Sequence, residues 1–111
     1  MQTPPATPFR FVYVSAPSRE VALTLGRMAV NARLAACANV LDGMISIYWW
    51  DEKLNEDAES VLILKTREDK LAELMQALKA QHPYDCPCIV ALPIVAGNPD
   101  YLNWLQRETN G

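Results

Sequence analysis

The sequence has few of the groups on which enzymes rely: it contains one histidine and four glycines. It has no G-x-S-x-G, H-E-x-x-H or Gly-rich phosphate-binding motif, so no known spacing pairs a nucleophile with a general base. We therefore expect a protein that is not an enzyme. No stretch approaches the roughly 20 apolar residues of a transmembrane helix, which argues against a membrane partner.

Basic residues are also in the minority, with 10 Lys and Arg against 13 Asp and Glu and a net charge of −3. Because nucleic-acid binding depends on cationic side chains that neutralise phosphates, we expect no nucleic-acid partner. The start of the chain lacks the apolar segment of a signal peptide. An odd number of cysteines in such a chain predicts reduced thiols and a cytoplasmic protein.

The 111 residues are enough for one domain with a real core. Three prolines among residues 1–8 predict a flexible N-terminal tail, with a single domain over residues 9–111. Apolar periodicity predicts four strands and three helices. The predicted strands cover residues 9–15, 41–50, 59–65 and 88–95; the predicted helices run from 19 to about 34, from 67 to about 81, and from 99 onward.

Polar residues mark the ends of these helices. Ser15 or Ser18 can cap the first helix and Thr66 the second. Gly26, inside the first helix, lets that helix lie close to the sheet. The order β-α-β-β-α-β with a terminal helix predicts an α+β, ferredoxin-like fold. Two helices then cover one face of a four-stranded sheet and leave the other face bare.

The two central strands form a long hairpin that is apolar on both faces, whereas a strand with one solvated face alternates apolar and polar residues. Residues 51–58 are polar enough to form its turn, and residues 42–43 allow a bulge. A ten-residue arm is roughly 33 Å long, but a fourteen-residue helix only about 21 Å. About a third of the hairpin, with Tyr48, Trp49 and Trp50, therefore extends beyond the helices. We interpret these aromatics as an interface between subunits; the alternative is that the terminal helix covers them.

One cluster has the chemistry of a metal site. His82, Cys86 and Cys88 form H-x-x-x-C-x-C on the connector after the second helix. Thiolates and imidazole suit Cu(I), Cu(II) or Zn. The alternative is a histidine that caps the helix and two thiols that point to opposite faces of the chain. Cys37 lies among small apolar residues and is expected in the core.

The whole pattern resembles the CutA divalent-cation tolerance proteins over about residues 11–105. The resemblance rests on the order and spacing of several short pieces: 33–37 (RLAAC), 47–50 (IYWW), 64–66 (LKT), 82–84 (HPY), 91–94 (ALPI) and 101–105 (YLNWL). It implies a ferredoxin-like subunit akin to the PII signalling proteins, a homotrimer in which the long hairpin reaches between subunits, and copper binding. Some members carry a cysteine and a second histidine where this chain has Val14 and Gln81, and many carry a glutamate at Cys88.

The resemblance leaves two functions open. The first is a non-catalytic, trimeric protein that binds copper or another divalent cation and serves metal tolerance. The alternative is a PII-like sensor or adaptor that binds a small anionic ligand in clefts between subunits. The side chains expected to line such a cleft are Glu59, Lys65, Tyr84, Tyr101 and Trp104. They could equally form an ion pair among ordinary core aromatics.

Overall fold

The computed structural model describes residues 7–110. Its elements are β1 (Phe9–Ala16), α1 (Arg19–Asn31), β2 (Cys37–Trp50), β3 (Lys53–Arg67), α2 (Glu68–Gln81), β4 (Ile89–Pro93) and α3 (Pro99–Glu108). The four strands form one antiparallel sheet in the order β2-β3-β1-β4. The predicted α+β fold and its order of elements are confirmed. Among the helices of the described residues, none is long and apolar enough to cross a membrane.

The core lies between the sheet and the two helices α1 and α2. Alternate residues of the central strands face these helices, as the period of two requires. The fully buried large side chains of this layer are Val12, Val14, Leu25, Leu62, Leu64, Leu74 and Leu78. Burying each such side chain contributes roughly 1.5–3 kcal/mol. This layer therefore supplies most of the apolar burial of the subunit.

Gly26 lets α1 approach the hairpin closely. A Cβ atom at this position would lie 3.1 Å from the Ala38 Cβ atom and 3.1 Å from a methyl group of Leu62. The predicted close contact between helix and sheet is thus present. Ser18, rather than Ser15, caps α1, because its hydroxyl accepts the N–H of Val21 at 3.2 Å.

The opposite face of the sheet is only partly covered. At one end, Leu105 of α3 packs with Phe9 and Ala36. Farther along, Val90 and Leu92 of β4 remain about half exposed. One short helix therefore does not cover this face, which we call the open face.

The hairpin is longer than predicted, and its turn is much shorter. Asp51 and Glu52 alone form the turn, with φ of 53° and 61°, as in the two-residue turns that suit twisted strands. Residues 53–58, mostly polar and predicted as loop, belong to β3, because they pair with the apolar end of β2 from Ile45 to Trp50. Polar residues in this segment are exposed to solvent but still form a strand.

A bulge sits where residues 42–43 predicted one. The register shifts between the pairs Leu41–Val61 and Met44–Glu59, and Gly43 has φ of 84°, which favours glycine. Beyond the bulge, Met44 lies on the open face together with Glu59. The bulge thus decides which side chains of the hairpin meet the open face.

Half of the hairpin has no neighbour in the sheet. Strand β1 pairs with β3 only as far as Ala16–Ser60, so residues 44–50 and 53–59 pair only with each other. We call these residues the overhang. Its exposed large hydrophobic side chains are Ile45, Ile47, Tyr48, Trp49, Trp50 and Leu54. Trp49 is 71% exposed and Trp50 57% exposed, and the terminal helix leaves both uncovered.

The predicted tail is partly attached to the domain. Thr7 donates a hydrogen bond to the carbonyl of Ile94, and the carbonyl of Pro8 accepts the N–H of Glu68 at 2.7 Å. The remaining residues assigned to the tail, 1–6, lie outside the described residues.

Thr66 does not cap α2 as predicted. Pairing with β1 continues to Phe9–Arg67, so Thr66 is still inside β3 and fully buried. Its hydroxyl donates to the carbonyl of Leu34 at 2.6 Å, and Arg67 occupies the N-cap position without a capping side chain. The hydroxyl therefore satisfies a carbonyl of the α1–β2 connection instead of a helix end.

We expect Thr66→Val to lower the free energy of unfolding by about 1–2 kcal/mol. The shape is kept, but the Leu34 carbonyl loses a buried hydrogen-bond donor. Chemical denaturation measures the change. Thr24→Val, on the exposed side of α1, is the control and should stay within about 0.5 kcal/mol. Equal effects of the two substitutions would contradict this role of Thr66.

Candidate functional site

A cleft of about 650 Å³ lies on the open face, beside the connector between α2 and β4. Aromatic rings of the first two strands form one wall, and the connector forms the other. The side chains used below are Tyr13, Tyr48, Glu59, Tyr84, Cys86 and Cys88. We call this the connector cleft. It combines phenols, two carboxylates and two thiols in one place.

His82 holds the connector against β1. The side chain is 7% exposed, and its Nδ1 atom accepts the N–H of Tyr84 at 3.1 Å. Its Nε2 atom must then carry the proton and donates to the carbonyl of Ser15 at 2.8 Å. Both ring nitrogens are thus engaged with backbone groups. His82 therefore fits the predicted role of a capping residue better than the role of a metal ligand, because neither ring nitrogen is free to bind an ion.

The two thiols lie in the same cleft. Cys86 and Cys88 are free, exposed and both in contact with the connector cleft. Strand β4 begins only at Ile89, so both cysteines precede it. The N–H of Ser15 donates to the carbonyl of Cys88 at 3.3 Å, which fixes the Cys88 backbone beside β1. Residues two apart lie on the same face even of an extended chain, and both thiols line this one cleft. The alternative in which they point to opposite faces was therefore wrong.

The predicted set His82, Cys86 and Cys88 is not gathered around one point. Within residues 7–110, the structure places no three His, Cys, Asp or Glu side chains close enough to hold one metal ion. A site with three or four such ligands does not fit a single chain. The two thiols lie on the cleft wall as soft donor groups.

Two tyrosines of the connector cleft are hydrogen-bonded to carboxylates. The Tyr84 hydroxyl donates to Oε2 of Glu59 at 2.9 Å, and the Tyr48 hydroxyl donates to Asp57. Burial, followed by the hydrogen bond and charge of Glu59, raises the pKa of Tyr84 to about 12. Burial first and the nearby Cys88 second raise the pKa of Tyr13. The cleft thus favours neutral phenols beside negative groups.

The five residues predicted to line an intersubunit cleft form two separate groups in one chain. Glu59 contacts Tyr84, whereas Tyr101 and Trp104 stack with ring centroids 5.5 Å apart. Lys65 donates to Oδ1 of Asn39 at 2.6 Å. It is six residues from Glu59 on the same face of β3, which is roughly 20 Å along a strand. The two groups can meet only if a neighbouring subunit joins them, so the intersubunit cleft stays a prediction.

Comparison with known proteins identifies the family. The CutA1 divalent ion tolerance protein family matches residues 10–108, nearly all of the sequence. The chain belongs to the CutA1 family. The divalent-cation tolerance protein CutA of Thermus thermophilus is 46% identical over 98 residues, which cover 88% of this chain and 95% of that protein. Protein CutA 1, chloroplastic, of Oryza sativa is 44% identical over 107 residues, 96% of this chain.

Solved CutA structures share the fold. The crystal structure of CutA1 from Oryza sativa superposes with a TM-score of 0.90 at 44% identity, over 95% of this chain and 96% of that chain. CutA1 from Thermus thermophilus superposes with a TM-score of 0.89 at 44% identity, over 92% and 99%. The predicted resemblance is confirmed.

The relatives differ in length and in reported location. This CutA1 chain spans 60% of the rice protein and 54% of the Arabidopsis thaliana protein. Both plant proteins are described as chloroplastic, and the Archaeoglobus fulgidus CutA structure is described as periplasmic. A cytoplasmic location of this CutA1 chain stays a prediction.

Three residues in the cleft or bonded to its side chains were not predicted from the sequence of this CutA1 member. Tyr13, Met44 and Asp57 were not singled out as site residues. Strand alternation already placed Met44 with Tyr48 on one face of the hairpin. The alternation does not give the register across the bulge, which sets Met44 opposite Glu59. It also does not give the path of the connector beside Ser15.

We expect the Tyr84 phenol to ionise only near pH 12 in the folded CutA1 chain. Its folded pKa lies above the usual value of 10, so its contribution to stability is complete below pH 10 and is lost as the pH rises through about 12. Ultraviolet titration of tyrosinate measures the ionisation.

The titration of Tyr84→Phe should lack this most alkaline component, and Glu59→Gln should move it toward lower pH. Tyr101→Phe is the matched control, because Tyr101 is not in the connector cleft. An unchanged alkaline component in Tyr84→Phe would show that another group is responsible.

Proposed function

We propose that this chain acts in metal tolerance as a homotrimer that binds copper and carries out no catalytic step. The family supports a role in divalent-cation tolerance, since the relative from Thermus thermophilus bears that name. The trimer, the choice of copper and the lack of catalysis are our inferences from the features that follow.

The overhang carries the argument for a trimer. Two paired strands without a third strand or a helix are at best marginally stable in water. Here they also expose Trp49 and Trp50 on opposite faces, an amount of aromatic surface that usually marks an interface. A partner on each face would cover both rings. A closed ring of three subunits supplies this, because each hairpin then has a neighbour on either side.

The open face and the free edge of the hairpin support the same assembly. Strand β2 is an edge strand of fourteen residues, with unpaired backbone groups that can accept another strand. Val90 and Leu92, at the other end of the sheet, are exposed. A hairpin from one subunit can lie on the edge and apolar face of the next, which buries both.

The connector cleft supports copper among the metal ions. Its thiols are soft ligands, and soft ligands favour copper and zinc over magnesium or calcium. The functional role of the cleft is then to bind and withhold the ion. His82, the group best suited to acid–base chemistry, has both ring nitrogens hydrogen-bonded to the backbone, which supports a role without catalysis.

Calorimetric titration of the metal-free protein with copper tests this function. We expect saturable binding that is much tighter than binding by the same chain in denaturant, and no comparable heat with magnesium. Copper binding no tighter than that of the denatured chain would contradict the proposed function. His82→Ala, examined in the same way, separates the histidine from the thiols, and we expect it to keep its copper.

A further inference from the structure

The connector cleft carries negative charge without a basic side chain. Its charged lining residues are Glu59 and Asp85, and no Lys or Arg is among the described residues that line it. Asp57 adds a third carboxylate, because it accepts a hydrogen bond from Tyr48, another residue of the lining. None of the ion pairs between residues 7 and 110 includes any of these carboxylates. Within this part of the chain, their negative charge is therefore not balanced by a cation.

Four aromatic rings line the same cleft. Strand alternation puts Tyr48 and Trp50 on one face of the hairpin, and Tyr13 and Tyr84 complete the set. The Tyr84 hydroxyl donates to Oε2 of Glu59 at 2.9 Å. Burial above all, with the charge of Glu59 among the further causes, raises the pKa of Tyr13 and Tyr84. The carboxylate thus lies within electrostatic reach of rings on both walls of the cleft.

The hairpin and the connector hold these groups in place. Glu59 and Asp57 are two residues apart in β3 and therefore share a face. The register of the hairpin puts Tyr48 on that face too, and its hydroxyl donates to Asp57. On the other wall, His82 fixes the connector by accepting the N–H of Tyr84 at 3.1 Å. The acidic and aromatic groups are thus positioned by backbone pairing and by a buried side chain.

This combination of groups selects an organic cation. The carboxylates repel an anion. Aromatic rings attract a positive charge through the negative face of their π-system, and clusters of such rings are a known means of recognising quaternary ammonium groups. The cleft volume of about 650 Å³ lies within the range of small-molecule sites. A positively charged organic molecule therefore matches both the charge and the lining of the cleft.

We propose that the connector cleft binds a quaternary ammonium ion, with its positive group among the rings of Tyr13, Tyr48 and Tyr84 and close to the carboxylate of Glu59. This inference goes beyond the proposed copper binding, which relies on the thiols, and does not depend on it. The ion is held without the formation or cleavage of a covalent bond. All of these side chains belong to one chain, so we expect one ion per chain.

Titration of the native, metal-free protein with choline tests the proposal. Proton NMR follows the N-methyl signal of choline, because ring currents shift this signal upfield when the group lies among aromatic rings. The matched probe is the neutral alcohol in which a tert-butyl group replaces the trimethylammonium group, which keeps the shape and removes the charge. We expect a saturable upfield shift with choline, and binding at least about tenfold tighter than that of the neutral alcohol.

Two pairs of variants separate the charge from the ring. Glu59→Gln should weaken choline binding about tenfold, since the charge is lost while an oxygen remains to accept the Tyr84 hydroxyl. Glu56→Gln is the matched control, because Glu56 pairs with Ile47 on the opposite face of β3, and it should bind choline as the native protein does. Tyr84→Leu should weaken binding about tenfold and reduce the upfield shift. Tyr84→Phe keeps the ring and should retain most of the affinity.

Three results would overturn the site. The first is equal affinity for choline and the neutral alcohol, which would show that charge is not recognised. The second is an equal loss of affinity in Glu56→Gln and Glu59→Gln, which would reflect only the net charge of the chain. The third is the absence of a saturable shift in the native protein. The comparison of the two probes uses the native protein, so it does not depend on any variant folding. Copper binding is tested separately, because these titrations contain no metal.

Discussion

Replacing Trp49 and Trp50 together by serine should convert the assembled protein into folded monomers. Both rings lie in the overhang, where residues 44–50 and 53–59 pair only with each other. Neither ring belongs to the buried cores of the subunit. Burying one large apolar side chain contributes roughly 2–3 kcal/mol. Six tryptophans in a trimer therefore contribute roughly 12 kcal/mol or more to assembly. Losing this contribution is enough to abolish assembly at micromolar concentration.

Light scattering after size-exclusion chromatography measures the mass, and circular dichroism checks the fold. Trp49→Phe with Trp50→Phe is the matched control, because phenylalanine keeps most of the apolar area, and this variant should stay assembled. If the serine variant kept the native mass, the overhang would not be the interface. If it unfolded outright, the two rings would belong to the stability of the subunit.

Removing the His82 side chain should lower the free energy of unfolding by about 2–4 kcal/mol while copper binding persists. His82→Ala leaves the buried carbonyl of Ser15 and the partly buried N–H of Tyr84 without their partner. A buried unpaired group costs about 1–3 kcal/mol, and a partly buried one costs less. The connector cleft would lose its support at one end, but its thiols would stay. Chemical denaturation measures the stability, and calorimetry measures the copper affinity.

Two conservative variants separate the hydrogen bonds of His82. In His82→Asn the side-chain oxygen can replace Nδ1 as the acceptor for Tyr84, and in His82→Gln the side-chain amide can replace Nε2 as the donor to Ser15. Each of these two variants should regain part of the free energy of unfolding that His82→Ala loses. Loss of copper binding in all three variants, with stability unchanged, would instead identify His82 as a ligand and contradict the structural role.

The sequence predicted the fold well because the apolar pattern decides it. Buried stripes such as Leu74 and Leu78 in α2 repeat at helical spacing, and β1 is dense in β-branched and aromatic residues. The hairpin turn was misplaced for a physical reason: within one chain the overhang packs against no other element, so residues 53–58 can be polar and still pair. Thr66 was misassigned because its hydroxyl satisfies Leu34, a distant carbonyl that no local pattern reveals.

The candidate site was predictable only in its residue types. The run from His82 to Cys88 indicated soft ligands, but the direction of each thiol depends on where β4 begins and on the hydrogen bond between Ser15 and Cys88. The separation of Lys65 from Glu59 follows from β3 being one continuous strand. Contacts between subunits involve residues of a second chain, and the pattern of residues along one chain does not show where that second chain lies.

Sedimentation equilibrium of the native protein tests the central claim, that this chain works as a trimer held together by its overhang. With a chain mass of 12.4 kDa, we predict a single species of about 37 kDa over the micromolar range, three chains in one particle. A folded species of one chain mass at micromolar concentration would contradict the account.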